Sequence, residues 1–264
     1  MLGIGTDARY IMKNYLLLLG CFLLITILLV TGAFCSVLKD PGVPDGEQIV
    51  WRVTKEKDDG ILFGTITWRI KDRDGKPVYE ITEDGGERKQ AKYIIDKSDL
   101  RLIWAHVVRE TDEGKSEATI EVRDDCQYLV HNHGNKIKDK KIDREADGYN
   151  GMSLGFSLRG FPFESQTEVN LKLTPPFRPG IPFWAWKMWK SYIKLLGEEK
   201  VTVPAGTFDC YKLEVAASGG LIRRFTSEYY FWFTKEPPHR FVKYQDDDGK
   251  AVTELMEIRS TGEE

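Results

Sequence analysis

From residue 49 onward the chain alternates apolar and polar residues in short runs, and this two-residue period constrains its fold more than any other feature. Ile49, Trp51 and Val53 mark the first run, Leu62, Ile66, Trp68 and Ile70 the second, and Tyr79 and Ile81 the third, beyond an Asp74-Gly75 turn. Tyr93 and Ile95 come next, then Leu102, Trp104 and Val108, then Ala118, Ile120 and Val122, then Tyr128 and Val130. A period of two places alternate side chains on opposite faces of a strand. Spacings of roughly ten to fifteen residues leave no room for crossover helices, so an antiparallel meander is expected. Met152, Leu154, Phe156 and Leu158 form the cleanest alternation and predict another strand, with one more at Val169, Leu171 and Leu173.

The stretch KVTVPAGTFDCYKLEV, residues 200–215, predicts a hairpin. Pro204 presets φ for a turn, and Gly206 can take the left-handed conformation that closes it. Residues 222–233, IRRFTSEYYFWF, carry Phe225, Tyr229, Phe231 and Phe233 at one parity and Tyr230 and Trp232 at the other. A strand apolar on both faces is expected to be covered on both. A last pair, around Phe241 and Tyr244 and then Val252, Met256 and Ile258, is joined by the acidic turn from Asp246 to Gly249.

One stretch breaks the period. Residues 174–197 open with Pro175, Pro176, Pro179 and Pro182, which no central strand tolerates. Phe183, Trp186, Trp189, Ile193 and Leu196 then recur at spacings of three and four, which predicts one short amphipathic helix with Gly197 as its stop. The polar stretch from Asn132 to Asn150 reads as a solvated excursion.

Residues 15–34 carry no charge over about the ~20 residues that cross a bilayer as a helix, and Arg9 and Lys13 precede them. That placement keeps the N-terminus in the cytoplasm and exports the rest of the chain, so the body is expected in the periplasm or on the outer face of the inner membrane. Residues 1–38 are therefore a signal peptide or a signal-anchor transmembrane segment. Small residues at Ala33 and Cys35 allow cleavage, the length of the run favours retention, and Met12 is an alternative start. Residues 39–46 read as a linker and 47–260 as a single antiparallel β domain. An oxidising compartment permits a disulfide between Cys126 and Cys210, although two separate buried thiols fit the sequence as well.

No residue pattern commits the chain to catalysis. His131 and His133 share a strand face and could form half a metal site, but no third ligand lies at a typical spacing. Nothing resembles a nucleophile elbow or a Gly-rich phosphate loop. The doublet Glu198-Glu199 and the run Asp246–Asp248 read as features of turns. In the segment Glu236–Gly249, Pro237-Pro238 predicts a turn, and Arg240 and Lys243 a solvated edge able to meet an anionic head group. A net charge of -3 without a basic stripe disfavours nucleic acid. The expectation is no cofactor, no metal and no enzymatic activity.

Val201, Val203, Pro204, Ala205, Gly206 and Phe208, then Tyr230, Trp232 and Phe233, then Thr253, Glu254 and Leu255 give the chain a resemblance to a known group. It resembles bacterial envelope proteins of the domain-of-unknown-function 3108 group, mainly over residues 198–258. The resemblance implies an all-β fold, a strongly curved antiparallel sheet or open barrel like those of periplasmic lipoprotein carriers, behind an N-terminal apolar helix. It supplies no activity. With the surplus of aromatics it supports a non-enzymatic protein that binds a lipid or other apolar ligand, with Phe183, Trp184, Trp186, Trp189, Tyr229, Phe231 and Trp232 as candidate contacts. The alternatives are a structural or assembly factor with an envelope protein partner, and an envelope hydrolase.

Overall fold

A computed structural model describes residues 37–55, 58–111, 114–134, 136–175, 185–219, 228–246, 249 and 251–259. Alternating runs become strands β1 (Gln48–Lys55), β2 (Asp58–Arg73), β3 (Lys76–Asp84), β4 (Lys89–Asp96), β5 (Leu102–Thr111), β6 (Gly114–Val122) and β7 (Cys126–His133). The second half adds β8 (Lys136–Asp143), β9 (Gly148–Asn150), β10 (Glu168–Thr174), β11 (Trp189–Val203), β12 (Gly206–Ala217), β13 (Tyr229–Thr234), β14 (Phe241–Asp246) and β15 (Ala251–Arg259). All join one open, curved sheet in the order β8-β7-β6-β5-β4-β3-β2-β1-β15-β14-β13-β12-β11-β10-β9. Pairing is antiparallel except between β9 and β10. The N-terminal apolar segment lies outside the described residues.

The hairpins arise from their turn chemistry. Asp74 and Gly75 both take positive φ, 55° and 77°, as a two-residue hairpin turn requires. Across the sheet the inward parity is continuous: Trp51 faces Leu255 on one side and Gly64 on the other, and Trp68 leads through Ile81 and Tyr93 to Ala105 and Ile120. A sheet this wide must curl to bury one face. The concavity is filled by the N-terminal stretch 37–47 and by residues 151–163.

Residues 151–163 correct the strand expected at Met152–Leu158. The chain forms instead a four-residue helix, α1 (Leu154–Ser157), and a 3-10 turn over Leu158–Gly160. Ser157 Oγ donates to Leu100 O at 2.7 Å, and Phe156 meets Trp68 and Tyr93 edge-on at 5.7 and 5.0 Å between ring centroids. The apolar residues of this segment serve as filler inside a sheet, so alternation there did not mean pairing. Gly160 lets the N-terminal stretch cross: a Cβ would lie 2.0 Å from Lys39 O, and Lys39 N donates to Gly160 O at 3.0 Å. Residues 39–46, a linker by composition, are thus held on the domain, with Val43 N donating to Tyr79 Oη at 3.1 Å.

The expected amphipathic helix is a second correction. Trp189–Leu196 lies in β11, where Ser191 and Ile193 are buried and the strand is paired on both sides, with β10 and β12. Two ladders of backbone hydrogen bonds outweigh a helical spacing of side chains. Gly197, expected as a helix stop, lies at a β-bulge, where register shifts between Leu195 and Gly197. A third correction is the polar excursion, which contains the edge strand β8. Its apolar period is missing because an edge strand with lysines needs none and resists further pairing. Pro176, Pro179, Pro182 and residues 222–227 lie outside the described residues.

Glu47 ties these layers together. Its buried carboxylate accepts from Arg159 Nη1 at 2.5 Å and from Arg240 Nε at 2.9 Å, while Arg159 Nε donates to Pro238 O at 3.0 Å. Arg240 is therefore an ion-pair partner, not the solvated residue expected from its segment. Removing one partner of a buried pair strands the other, at about 3–5 kcal/mol. Glu47→Ala is expected to lower unfolding free energy in urea by about that much, and Arg240→Ala, at the half-exposed partner, by only about 1 kcal/mol.

Candidate functional site

Between α1 and the inner faces of β1, β2 and β3 lies a cavity of about 420 Å3. Its floor is apolar: Ile49, Trp51 and Val53 from β1, and Leu62, Ile66 and Trp68 from β2, with Phe156 of α1 as a roof. The floor is flat because residue 64 has no side chain. A Cβ on Gly64 would lie 2.3 Å from Trp51 Cζ2, so the indole of Trp51 lies across Gly64 towards Gly85.

Gly85, Gly155, Phe241 and Thr253 are the other uncharged residues of the lining, and the rest is charged. Glu83, Lys89 and Arg109 occupy the inward parity of β3, β4 and β5, level with the apolar residues of the same strands. Glu83 accepts from Lys89 Nζ at 2.6 Å and from Tyr93 Oη at 3.4 Å. Burial lowers the pKa of Lys89, Arg109 lowers it further, and Glu83 opposes both. Burial, with Glu83 adding to it, holds Tyr93 well above the usual phenol range. Exposed Arg88 and Glu110 stand at the solvent end. At the inner end Arg159, only 2% exposed, lies 5.0 Å over the Trp68 ring.

The aromatic residues expected as contacts divide into separate places, and none of the described ones is in the lining of this cavity. Phe183 and Trp184 lie outside the described residues. Trp186 is buried, and Trp189 Nε1 donates to Ala185 O at 2.9 Å. Tyr229 and Phe231 face inward against Tyr244, with ring centroids 6.2 and 5.0 Å away. Phe231 also borders α1, where its ring lies 3.6 Å from the position of a Cβ on Gly155. Trp232 has the opposite parity and is covered on the outer face by Lys212 and Lys243, 4.9 and 5.1 Å from its ring, while its indole N–H donates to Glu199.

Cys126 and Cys210 are two free, buried thiols, and burial pushes the Cys210 thiol up to about 12. His131 and His133 do share a face, where His131 Nε2 meets Ser116 Oγ at 3.0 Å. The charged cavity residues were not among the expected contacts. The signal was available in their parity, because Glu83, Lys89 and Arg109 continue the core side of strands whose other inward residues are apolar.

The family profile described as protein of unknown function (DUF3108) matches residues 48–256, from the first residue of β1 into β15. The chain belongs to the DUF3108 family. The sheet of this DUF3108 protein is similar to that of a β-barrel-like DUF1849 protein from Brucella abortus, with a TM-score of 0.52 and 10% identity over 81% of this chain and 97% of that one. A "putative lipoprotein" from Parabacteroides distasonis is matched more distantly, with a TM-score of 0.31 and 12% identity over 82% of this chain and 96% of that one. No curated protein matches the chain.

The hairpin that carried the DUF3108 resemblance has a structural task. Pro204 and Ala205 form the turn, Gly206 takes φ of 134°, and Ala205 N donates to Leu255 O at 3.2 Å. The corner thereby occupies a carbonyl of β15 beyond the last β14 partner at Glu254.

The turn beside the cavity wall holds a half-buried histidine, His239. His239 Nδ1 lies 3.0 Å from Thr234 O, and its ring packs 4.7 Å from that of Phe163. Burial lowers its pKa below 6.5, with the nearby Arg159 charge adding to the effect and the bond to Thr234 opposing it. The unfolded chain therefore binds the proton first, and stability present at neutral pH is lost as pH falls through 6.5 towards the folded pKa. His131, lowered mainly by burial, acts in the same direction. Urea midpoints are expected to fall between about pH 7 and pH 5, and His239→Gln to reduce that slope; an unchanged slope would remove His239 from the account.

Proposed function

We propose that this DUF3108 protein is an exported envelope protein that holds an apolar ligand, such as a lipid chain, inside its curved sheet and does not catalyse a reaction. The cavity of about 420 Å3 carries the reading. Its size falls in the range of about 300–1,000 Å3 usual for small-molecule sites, and its floor and roof are apolar and aromatic. Among the described residues its lining offers no serine, cysteine or histidine as nucleophile or base. Its one buried carboxylate, Glu83, is already engaged by Lys89 and Tyr93. Export rests on the uncharged run 15–34 behind Arg9 and Lys13.

The site of binding moves from the Trp-rich stretch to β1, β2 and α1. Full-length protein isolated from its host envelope is expected to carry a lipid-extractable molecule in native mass spectrometry. A bulky substitution at the floor, Gly64→Leu, should abolish its recovery while a Trp186→Phe control retains it. Repeated recovery of empty protein, together with no response of tryptophan fluorescence to any apolar compound, would refute ligand binding.

A further inference from the structure

Residues that line the cavity carry hydrogen-bond donors without a partner among the described residues. Trp51 Nε1, Arg109 Nε and Arg159 Nη2 are buried and have no hydrogen-bond partner among the described residues. All three residues line the cavity. Trp51 is 6% exposed and Arg159 2%, so water does not easily replace the missing acceptors. A buried donor without a partner costs about 1–3 kcal/mol, more when charged.

The three orphans share one chemistry, since every one is a donor. Of the lining carboxylates, Glu83 is held by Lys89 and Tyr93, and Glu110 stands exposed at the rim. The charges have the same sign of imbalance. Arg88, Lys89, Arg109 and Arg159 face Glu83 and Glu110 across the lining, and Glu47 behind it is shared between Arg159 and Arg240. An entering molecule that is only apolar would leave these donors unsatisfied.

We propose that the cavity binds an anionic amphiphile, an acyl chain ending in a carboxylate or phosphate group, whose oxygens accept from unpartnered donors among those of Trp51, Arg109 and Arg159. The apolar floor from Ile49 to Trp68 takes the chain. Trp51 belongs to both parts, with its ring on the floor and its N–H towards the oxyanion. The inference rests on the ligand-holding reading and specifies the class of ligand.

The test uses the full chain, stripped of lipid and kept soluble in amphipol, at a pH where the probes are ionised. Dodecanoate, dodecyl phosphate, dodecanol and dodecyltrimethylammonium are titrated against tryptophan fluorescence. One or both anions are expected to bind about tenfold or more tighter than the alcohol, as a charge-assisted hydrogen bond implies. Which anion is preferred distinguishes a carboxylate from a phosphate headgroup. Arg109→Met should remove most of that preference while leaving dodecanol affinity and melting temperature near those of the parent protein, and Trp51→Phe, which also alters the floor, should weaken the anions more than dodecanol. Arg109→Lys, which keeps the charge and loses the Nε donor, serves as the second variant should the methionine protein fail to fold, and should also weaken the preference. Equal affinity for anion and alcohol, or a preference for the cation, would overturn the headgroup assignment and leave the apolar reading standing. Failure of all four probes to bind would overturn both.

Discussion

The carboxylate of Glu47 is the interaction on which the interior depends. It sits one residue before β1, is 4% exposed, and holds two guanidinium groups from distant parts of the chain. Arg159 lies just past α1, and Arg240 precedes β14. One buried anion therefore fixes the filler segment to the first strand and to the turn between β13 and β14. A purely apolar contact would fill the same space without choosing a register, because dispersion has no direction. The directional, charge-assisted bonds determine where α1 crosses the sheet, and hence where the cavity is left.

The curvature has local causes that the ladder records. Register shifts occur between Val50 and Trp51, between Ile94 and Ile95, between Leu195 and Gly197, and between Trp232 and Phe233. Each bulge bends and twists its strand, and together they roll the sheet towards closure. Side chains bridge part of the distance between its two ends: Asn150 Nδ2 in β9 donates to Gln127 Oε1 in β7 at 2.9 Å. The result is an open barrel with an interior large enough to need filling. Residues 37–47 and 151–163 fill most of it, and the indole of Trp51, lying across Gly64, shapes the remaining space.

The period-two pattern makes most strands legible, and the turn residues at Asp74-Gly75 and Pro204–Gly206 locate hairpins correctly. Failures come where tertiary context reverses a local signal. By strict alternation Trp104 shares a face with Leu102, yet the bulge opposite Ile94 and Ile95 inserts a residue, so Leu102 is buried and Trp104 faces the other way. Tyr128 and Val130 mark β7 correctly, while its buried residues include Gln127 and Leu129. The Trp-rich stretch has helical spacing, but β10 and β12 offer partners along both edges of β11, and no count of side chains reports a neighbour 20 residues away. Edge strand β8 is invisible to periodicity because six of its eight residues are charged and its two isoleucines, Ile137 and Ile142, stand at opposite parity. The cavity is hidden for a related reason, since Lys89 and Arg109 look like solvent-facing residues until strand parity turns them inward.

Parity also explains why these charges are tolerated. Glu83, Lys89 and Arg109 lie on adjacent inward positions, so the first two neutralise each other, while the third has company of its own sign from Lys89 and Arg88. A sheet selected only for stability would place an apolar side chain at Arg109 and leave no orphan donor on Trp51, because replacing buried polar groups by well-packed apolar ones is often neutral or stabilising. Satisfying the donors from outside reverses that balance: an acceptor bound to the folded state alone stabilises it by mass action. On the proposed reading, the features that cost the fold stability are the ones that select a ligand, and the apolar floor and the cationic wall belong to one site.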